Sequence, residues 1–243
     1  MKKYRPDMSF DENVADNYDR LAERGDEAAT VAVLEELARG GPALELAIGT
    51  GRIALPLSNR GIRLDGIDFS PAMVAKLKAK PGADRISVTM GNFADVAVPN
   101  TYRLIYVIFN TLGNLLTQDE QVRCFENAAA HLTDDGLFVV EGEVLSDWHL
   151  LRNNQYVNLE AVEIDHVRLD VARYDPVKQL LEETHIALSS DGVKLNPIVS
   201  RYASPSELDL MARIAGLHLK ERWGGWSREP FTGSGNCVSV YGR

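Results

Sequence analysis

Residues 43–54 read A-L-E-L-A-I-G-T-G-R-I-A, a short apolar run that passes straight into a glycine turn. Ala43 to Ile48 fits a strand buried on both faces of a parallel sheet. Gly49-Thr50-Gly51 would let the backbone turn sharply and approach a ligand, and a helix-like stretch follows to Asn59. Gly49 to Ala54 is a literal G-x-G-x-x-A, and Asp68, seventeen residues after Gly51, ends the next apolar run. Glycines that let the backbone approach a ligand, plus a carboxylate for a ribose diol, predict a nucleoside site. A tight turn without a ligand is the plain alternative for the glycines alone. Glu45 interrupts the strand with an acid, which is costly to bury unless it orients the loop or meets a cationic ligand group.

The segments on either side extend the pattern. Residues 11–39 carry Val31, Leu34, Leu37 and Ala38 at helical spacing and stop at Gly40-Gly41. Arg63 to Asp68, Ile86 to Met90 and Leu104 to Phe109 read as strands. Ser70-Pro71 opens a helix, with Ser70 as N-cap and Pro71 in the first turn. Thr117-Gln118-Asp119-Glu120 is a capping box for a helix whose apolar face is Val122, Phe125, Ala129 and Leu132. Asp134-Asp135-Gly136 then turns the chain into the strand Leu137 to Glu141. Strand–helix alternation over 41–141 predicts an α/β, doubly wound parallel sheet with its ligand site at the carboxyl ends of the strands.

Residues 155–203 follow another rule. Val167, Leu169 and Val171 alternate with polar residues, as do Leu180, Ile186 and Leu188, with turn signals at Asp175-Pro176 and Asp191-Gly192. With Leu195 to Tyr202, this predicts three antiparallel strands inserted after the fifth parallel strand. Ser204-Pro205-Ser206-Glu207 caps a helix ending at Gly216, before the closing strands His218 to Trp223 and Cys237 to Tyr241.

The 243 residues are 45% hydrophobic and 25% charged, with 26 Lys+Arg against 35 Asp+Glu, a net charge of −9. That composition fits one large globular domain, or one with a modest insertion. The acidic balance argues against a general nucleic-acid or anionic-membrane surface. No apolar run spans a bilayer, and the opening MKKYRPDMSFDEN lacks the apolar core of a signal peptide, so the cytoplasm is the expected compartment. Cys124 and Cys237 form no C-x-x-C pair. The five histidines show no i, i+4 pairing and no nearby cysteine cluster, so no metal is expected.

Three segments together resemble the class I S-adenosylmethionine-dependent methyltransferases. ELAIGTGR (45–52) is similar to their E/D-x-G-x-G-x-G loop, GIDFS (66–70) to the acid-ended second strand, and GNF (91–93) to the adenine-contacting turn. The likeness covers roughly residues 15–141, resumes in the last strand, and is greatest to small-molecule members such as glycine and amino-sugar N-methyltransferases. It implies a Rossmann-like, seven-stranded, mostly parallel sheet with an antiparallel β insertion after strand 5. Residues 1–147 and 204–243 would form the cofactor core, and 148–203 a substrate lid. S-adenosyl-L-methionine is the implied cofactor. Glu45, Ala47, Gly49 and Gly51 would surround its methionine end, and Asp68 its ribose, with Phe69 and Met73 beside the adenine. Asn92 would meet the adenine amine, with Phe93 flanking the ring and Phe109 near the sulfonium. Tyr18 would close over the cofactor, and Arg24 is the candidate for its carboxylate. Ala47 stands where the family has its first glycine, a departure expected to narrow the loop and weaken or shift cofactor binding. Met73 and Phe109 also fit as core side chains, and Asn92 as a turn residue.

Methyl transfer from a sulfonium needs no general acid, and orientation does most of the catalytic work. No catalytic motif is therefore expected, and a base is needed only for a protonated amine or a hydroxyl. The architecture nominates Asn110, Asn114, Glu143, Trp148, His185, Tyr202 and Arg228 for the acceptor side. Glu143 as a solvated acid, Tyr202 as a sheet-face aromatic and Arg228 as a surface charge are the bland alternatives. The expected reaction is methyl transfer to a nitrogen or oxygen of a small molecule, and a homodimer is compatible with it. An NAD(P)-dependent oxidoreductase and an inactive nucleoside-binding protein are the competing readings. The first is weakened by the absence of a Y-x-x-x-K, and the second is suggested only by Ala47.

Overall fold

A computed structural model of the chain describes residues 9–21, 24–144 and 152–243. Two helices, α1 (Glu12–Leu21) and α2 (Glu27–Ala38), replace the single helical stretch expected over 11–39. Between them Gly25 adopts φ +84°, a left-handed conformation that ends helical continuity. There follow β1 (Ala43–Leu46), α3 (Ala54–Asn59), β2 (Leu64–Asp68), α4 (Pro71–Lys78), β3 (Ser87–Met90), β4 (Tyr102–Val107), α5 (Gln118–His131) and β5 (Leu132–Val144).

The rest of the chain comprises β6 (Gln155–Val162), β7 (His166–Asp175), β8 (Leu180–Ser189), β9 (Gly192–Arg201), α6 (Pro205–Ile214), β10 (His218–Trp223) and β11 (Gly235–Gly242). The larger sheet has seven strands in the order β10-β11-β5-β4-β1-β2-β3. Strands β1 to β5 run parallel, while β11 pairs antiparallel with both β5 and β10. The chain leaves the centre in opposite directions after β1 and β4, which opens a crevice at their carboxyl ends.

The local signals act as read. Ser70 Oγ accepts the Met73 N–H at 3.2 Å, and Thr117 Oγ1 accepts the Glu120 N–H at 3.2 Å. Glu120 Oε2 accepts the Thr117 N–H at 3.0 Å, completing the capping box. Alternate residues of β4 serve two cores. Leu104 and Tyr106 pack with Leu34, Leu57 and Val139 on one face; Ile105 and Val107 pack with Phe125, Phe138 and Tyr241 on the other. Burial on both faces is why these strands are apolar throughout, each large side chain contributing about 1.5–3 kcal/mol. Leu132 leaves the expected helix face to begin β5. The β4–β5 register pairs Tyr102 with Leu132 and Leu104 with Leu137, so Asp134-Asp135-Gly136 form a slip in the ladder.

The insertion holds four strands, not three, in the order β6-β7-β8-β9. The additional strand, β6, carries Val157 and Leu159, which are 72% and 56% exposed. In register with them lie Leu169, Val171, Ile186 and Leu195, a continuous apolar outer face. The opposite face carries Tyr156, Asp170, Ala172, Leu181 and Glu183, of which Asp170, Ala172 and Leu181 are buried. Its polarity is reversed relative to a sheet that covers a core. Arg201, at the end of β9, meets the turn after β4: a Cβ on Gly113 would lie 3.2 Å from the Arg201 carbonyl oxygen.

Candidate active site

The crevice contains a cleft lined by Tyr18, Glu45, Ala47, Gly49, Thr50, Arg52, Phe109 and Thr111 with their neighbours. Five of the expected cofactor residues (Tyr18, Glu45, Ala47, Gly49 and Phe109) meet here. The loop takes its shape from left-handed backbone at Ala47 (φ +57°), Gly49 (φ +57°) and Gly51 (φ +75°). Gly51 serves packing: a Cβ there would come within 2.3 Å of Leu77 Cδ1, so its absence lets α4 approach. Ala47 takes the same handedness with a methyl group attached, a strained arrangement for any residue but glycine.

Asp68 stands directly behind the loop. Its Oδ2 accepts the Gly49 N–H at 2.7 Å and its Oδ1 accepts the Ser70 N–H at 2.8 Å. Burial pushes its carboxyl above the ordinary range, against the pull of these N–H groups. Phe69 is half-buried and meets Phe10 edge-on at 6.1 Å between ring centroids. Met73 is buried beneath the loop. Asn92 is exposed, and its Oδ1 accepts the Ala94 N–H at 3.0 Å, which fixes the turn after β3. Phe93 departs from expectation. Its ring is sealed in the core at 2% exposure and has no open face to flank a base.

Glu45 is buried and accepts the Tyr106 hydroxyl at 3.0 Å. Burial pushes its carboxyl up to about 8; the Tyr106 hydrogen bond and the Arg52 charge oppose this, and Asp68 reinforces it. Burial likewise raises the Tyr18 phenol. α1 is tied over the loop by Asp19, which accepts from the Thr50 hydroxyl and pairs with Lys80 at 2.5 Å. The Ser70 hydroxyl donates to the Phe10 carbonyl at 2.7 Å, and the Ser9 hydroxyl to the Pro197 carbonyl at 2.7 Å. The segment leading into α1 thus links the loop to β9.

Two charged residues that sequence reasoning missed organise this cleft. Arg52 lays its guanidinium 3.4 Å from the Phe109 ring centroid and pairs with Glu27 at 2.5 Å. Its position next to the glycine turn was the available signal. Glu141, buried at the end of β5, accepts the Phe109 N–H at 2.8 Å. It also accepts from Trp226 Nε1 at 3.1 Å and Asn236 Nδ2 at 3.0 Å, and pairs with Arg24 at 3.0 Å. Arg24 pairs with Asp26 at 3.3 Å as well, so both arms of its guanidinium meet carboxylates.

A second cavity lies beside the first, lined by Asn110, Glu143, Arg201, Tyr202, Cys237 and neighbours. Three expected acceptor-side residues, Asn110, Glu143 and Tyr202, meet there. Arg201 is buried, and its two terminal nitrogens donate to Gln121, Gln179 and Glu207 at 2.5–2.7 Å. The other nominations do not join them. Asn114 is half-buried at the end of a 3-10 turn and lines neither cavity. Arg228 pairs with Glu36 at 2.8 Å and lies 4.9 Å from the Trp223 ring, a surface contact outside both cavities. Trp148 lies outside the described residues. His185 Nδ1 pairs with Asp170 across β7 and β8 and lines neither cavity. With Glu160 these two form, among the described residues, a group whose ligand-type atoms lie within 4.8 Å of one another. Spacing rules miss such a group because its members come from three strands.

The methyltransferase-domain family matches residues 43–136. The CcbJ methyltransferase of Streptomyces caelestis is 35% identical, with 98% of this chain and 99% of that chain covered at a TM-score of 0.90. CalS10, an amino pentose methyltransferase from Micromonospora echinaspora whose structure holds S-adenosylmethionine, shares the fold. It is 19% identical with 99% of each chain covered, at a TM-score of 0.68. Among curated proteins, the cypemycin N-terminal methyltransferase of a Streptomyces species is 22% identical over 79% of each chain. These matches do not favour the oxidoreductase or the inactive reading. No helix among the described residues is long and apolar enough to cross a membrane.

Proposed function

The chain belongs to the class I S-adenosylmethionine-dependent methyltransferases and transfers a methyl group from that cofactor to a small molecule; from this premise we propose an amine nitrogen as the acceptor, with a hydroxyl oxygen as the second nucleophile the site can serve. The observation that carries the reading is a shared wall. Phe109 faces the glycine-loop cleft and Asn110, the next residue, faces the second cavity. Both have left-handed backbone, φ +61° and +56°, which turns consecutive side chains into two compartments. Donor in one and acceptor in the other would meet across that wall.

The residues present fit the cofactor. The Arg52 Nε is buried in the cleft without an acceptor among the described residues. Asp68 keeps lone pairs beyond the two N–H groups it accepts, enough for ribose hydroxyls. In this reading the Gly49 backbone and Ala47 border the methionine portion, and Glu45 faces its ammonium group. Tyr18 closes the top and Phe109 lies near the sulfur. Phe69 and the exposed Asn92 amide serve the adenine, and Met73 backs the loop from the core side. Gly51 acts through helix packing.

The bound cofactor supplies an electrophilic methyl carbon whose thioether leaves without needing a proton. The chain's own contribution is alignment of the acceptor with that carbon, with α1 and the β6–β9 sheet excluding water. An amine attacks through its free lone pair, so an ammonium must first lose a proton. Glu143, exposed at the second cavity, is the carboxylate placed to take it. The Tyr202 phenol, raised by burial and so neutral, is placed to hydrogen-bond the acceptor. The name of the cypemycin N-terminal methyltransferase favours nitrogen over oxygen.

Residues 1–147 and 204–243 serve in this account as the cofactor core and 148–203 as the acceptor-side lid. The cytoplasm is the compartment that goes with it. A homodimer would use the apolar outer face of the β6–β9 sheet, and sedimentation of the purified chain tests that. For the reaction, a panel of amines, phenols and carboxylates is incubated with S-adenosylmethionine, and products are read by mass spectrometry. Methylated amines are the expected result. Methylation confined to carboxylates, or no product from any acceptor, contradicts the reading.

A further inference from the structure

We propose that Arg52 is the anchor for the cofactor's carboxylate, in place of Arg24. The assignment rests on the cofactor reading above. Arg52 enters the cleft directly from the glycine turn, beside Glu45, Ala47 and Gly49. Three of its features prepare an anion site. Its Nη1 is held by Glu27 Oε1 at 2.5 Å, which fixes the rotation of the guanidinium. The Phe109 ring centroid lies 3.4 Å from its central carbon and backs one side of the guanidinium. Its Nε is buried and meets no acceptor among the described residues, although the side chain is only 14% exposed.

A guanidinium presents its donors in a rigid fork, and the edge carrying Nε suits the two oxygens of a carboxylate. A buried donor without an acceptor carries a desolvation cost, so a ligand carboxylate at that edge offsets this cost as well as adding a bond. Arg24 lacks this vacancy. Its two arms go to Glu141 at 3.0 Å and Asp26 at 3.3 Å, and it is 35% exposed. It has been recruited to the Glu141 network. Phe109 consequently acts as the platform over which the carboxylate-binding cation lies, and Glu27 ties that cation to α2.

The test compares two ligands by calorimetry. S-adenosylhomocysteine carries the amino-acid carboxylate; 5′-methylthioadenosine keeps the nucleoside and thioether but lacks it. The proteins are the unaltered chain, Arg52→Met, Arg52→Lys and Arg24→Met. Arg52→Met is expected to weaken S-adenosylhomocysteine by about 10- to 100-fold, the size of a lost charged hydrogen bond. Methylthioadenosine should stay within about twofold, which also shows that the variant is folded. Arg52→Lys should recover part of the loss, because an ammonium keeps the charge and loses the fork. Arg24→Met should weaken S-adenosylhomocysteine less than Arg52→Met does. Unchanged or tighter S-adenosylhomocysteine binding in Arg52→Met overturns the assignment, the tighter case identifying Arg52 as an obstacle in the cleft. Equal weakening of both ligands overturns it too, as a merely structural effect. If the unaltered chain binds neither ligand, the cofactor reading itself fails.

Discussion

Glu141 holds Phe109: one carboxylate oxygen accepts the Phe109 backbone N–H at 2.8 Å, with the phenylalanine at φ +61°. The other oxygen gathers Arg24, Trp226 and Asn236 at 3.0–3.1 Å. A fully buried carboxylate with four donors is thereby satisfied, and the wall between the two cavities is fixed from behind.

Removing that acceptor strands four donors at once. Glu141→Ala should cost about 3–5 kcal/mol of unfolding free energy, as when one member of a buried ionic network is deleted. Glu141→Gln, which retains one acceptor oxygen, should cost about 1–3 kcal/mol. Urea titration of the three proteins checks the order. Equal stability would show that the network contributes nothing.

Ala47 sits at φ +57°, where its methyl group is strained. Replacing it with glycine relieves about 1–2 kcal/mol and adds about 0.5–1 kcal/mol of unfolded-state entropy. Ala47→Gly should therefore stabilise the chain by about 0–1.5 kcal/mol, a rise in Tm of up to about 6 °C. Ala47→Val should lower Tm, since a β-branched side chain tolerates this backbone worst. A fall in Tm for Ala47→Gly contradicts the strain assigned here.

Glu45 gives the cofactor-free protein a pH dependence of definite sign. Burial raises its folded carboxyl from about 4.5 to about 8, so between these values the folded state holds a proton that the unfolded state has lost. Its contribution to stability is complete below pH 4.5 and is lost as pH rises through 8, on the order of a few kcal/mol. Glu45→Gln should flatten that slope in thermal melts between pH 5 and 8 (about the window those two values bracket). A variant with the same slope as the unaltered chain would rule Glu45 out as its source.

Asp68 holds the Gly49 and Ser70 N–H groups, and the cofactor's ribose is its proposed further partner. Asp68→Ala should weaken S-adenosylhomocysteine by about 1.5–3 kcal/mol through loss of charged hydrogen bonds to the ribose. Asp68→Asn keeps one acceptor oxygen and should lose less. Calorimetry measures both, and an unchanged affinity in Asp68→Ala removes the ribose contact from the account.

What was legible in the sequence was local. The apolar run before Gly49, the Ser70 and Thr117 caps and the alternation through Glu141 each depend on neighbours a few residues apart, and all appear in the fold. Glu141's role depends on Trp226 and Asn236, 85 and 95 positions away, so no local pattern could announce it. Strand β6 escaped because its apolar residues face outward, among polar ones, with no core to require them. Phe93 was placed by likeness to an adenine turn, but the direction of its ring is set by packing in the core. Arg228 shares a loop with two tryptophans, yet it turns outward to Glu36.

A crystal structure of the chain with S-adenosylhomocysteine tests the central claim most directly. The account predicts the sugar hydroxyls on Asp68 and the amino-acid portion in the cleft among Glu45, Gly49, Arg52 and Phe109. Density for the ligand anywhere else, with that cleft still filled by its own side chains, would contradict it.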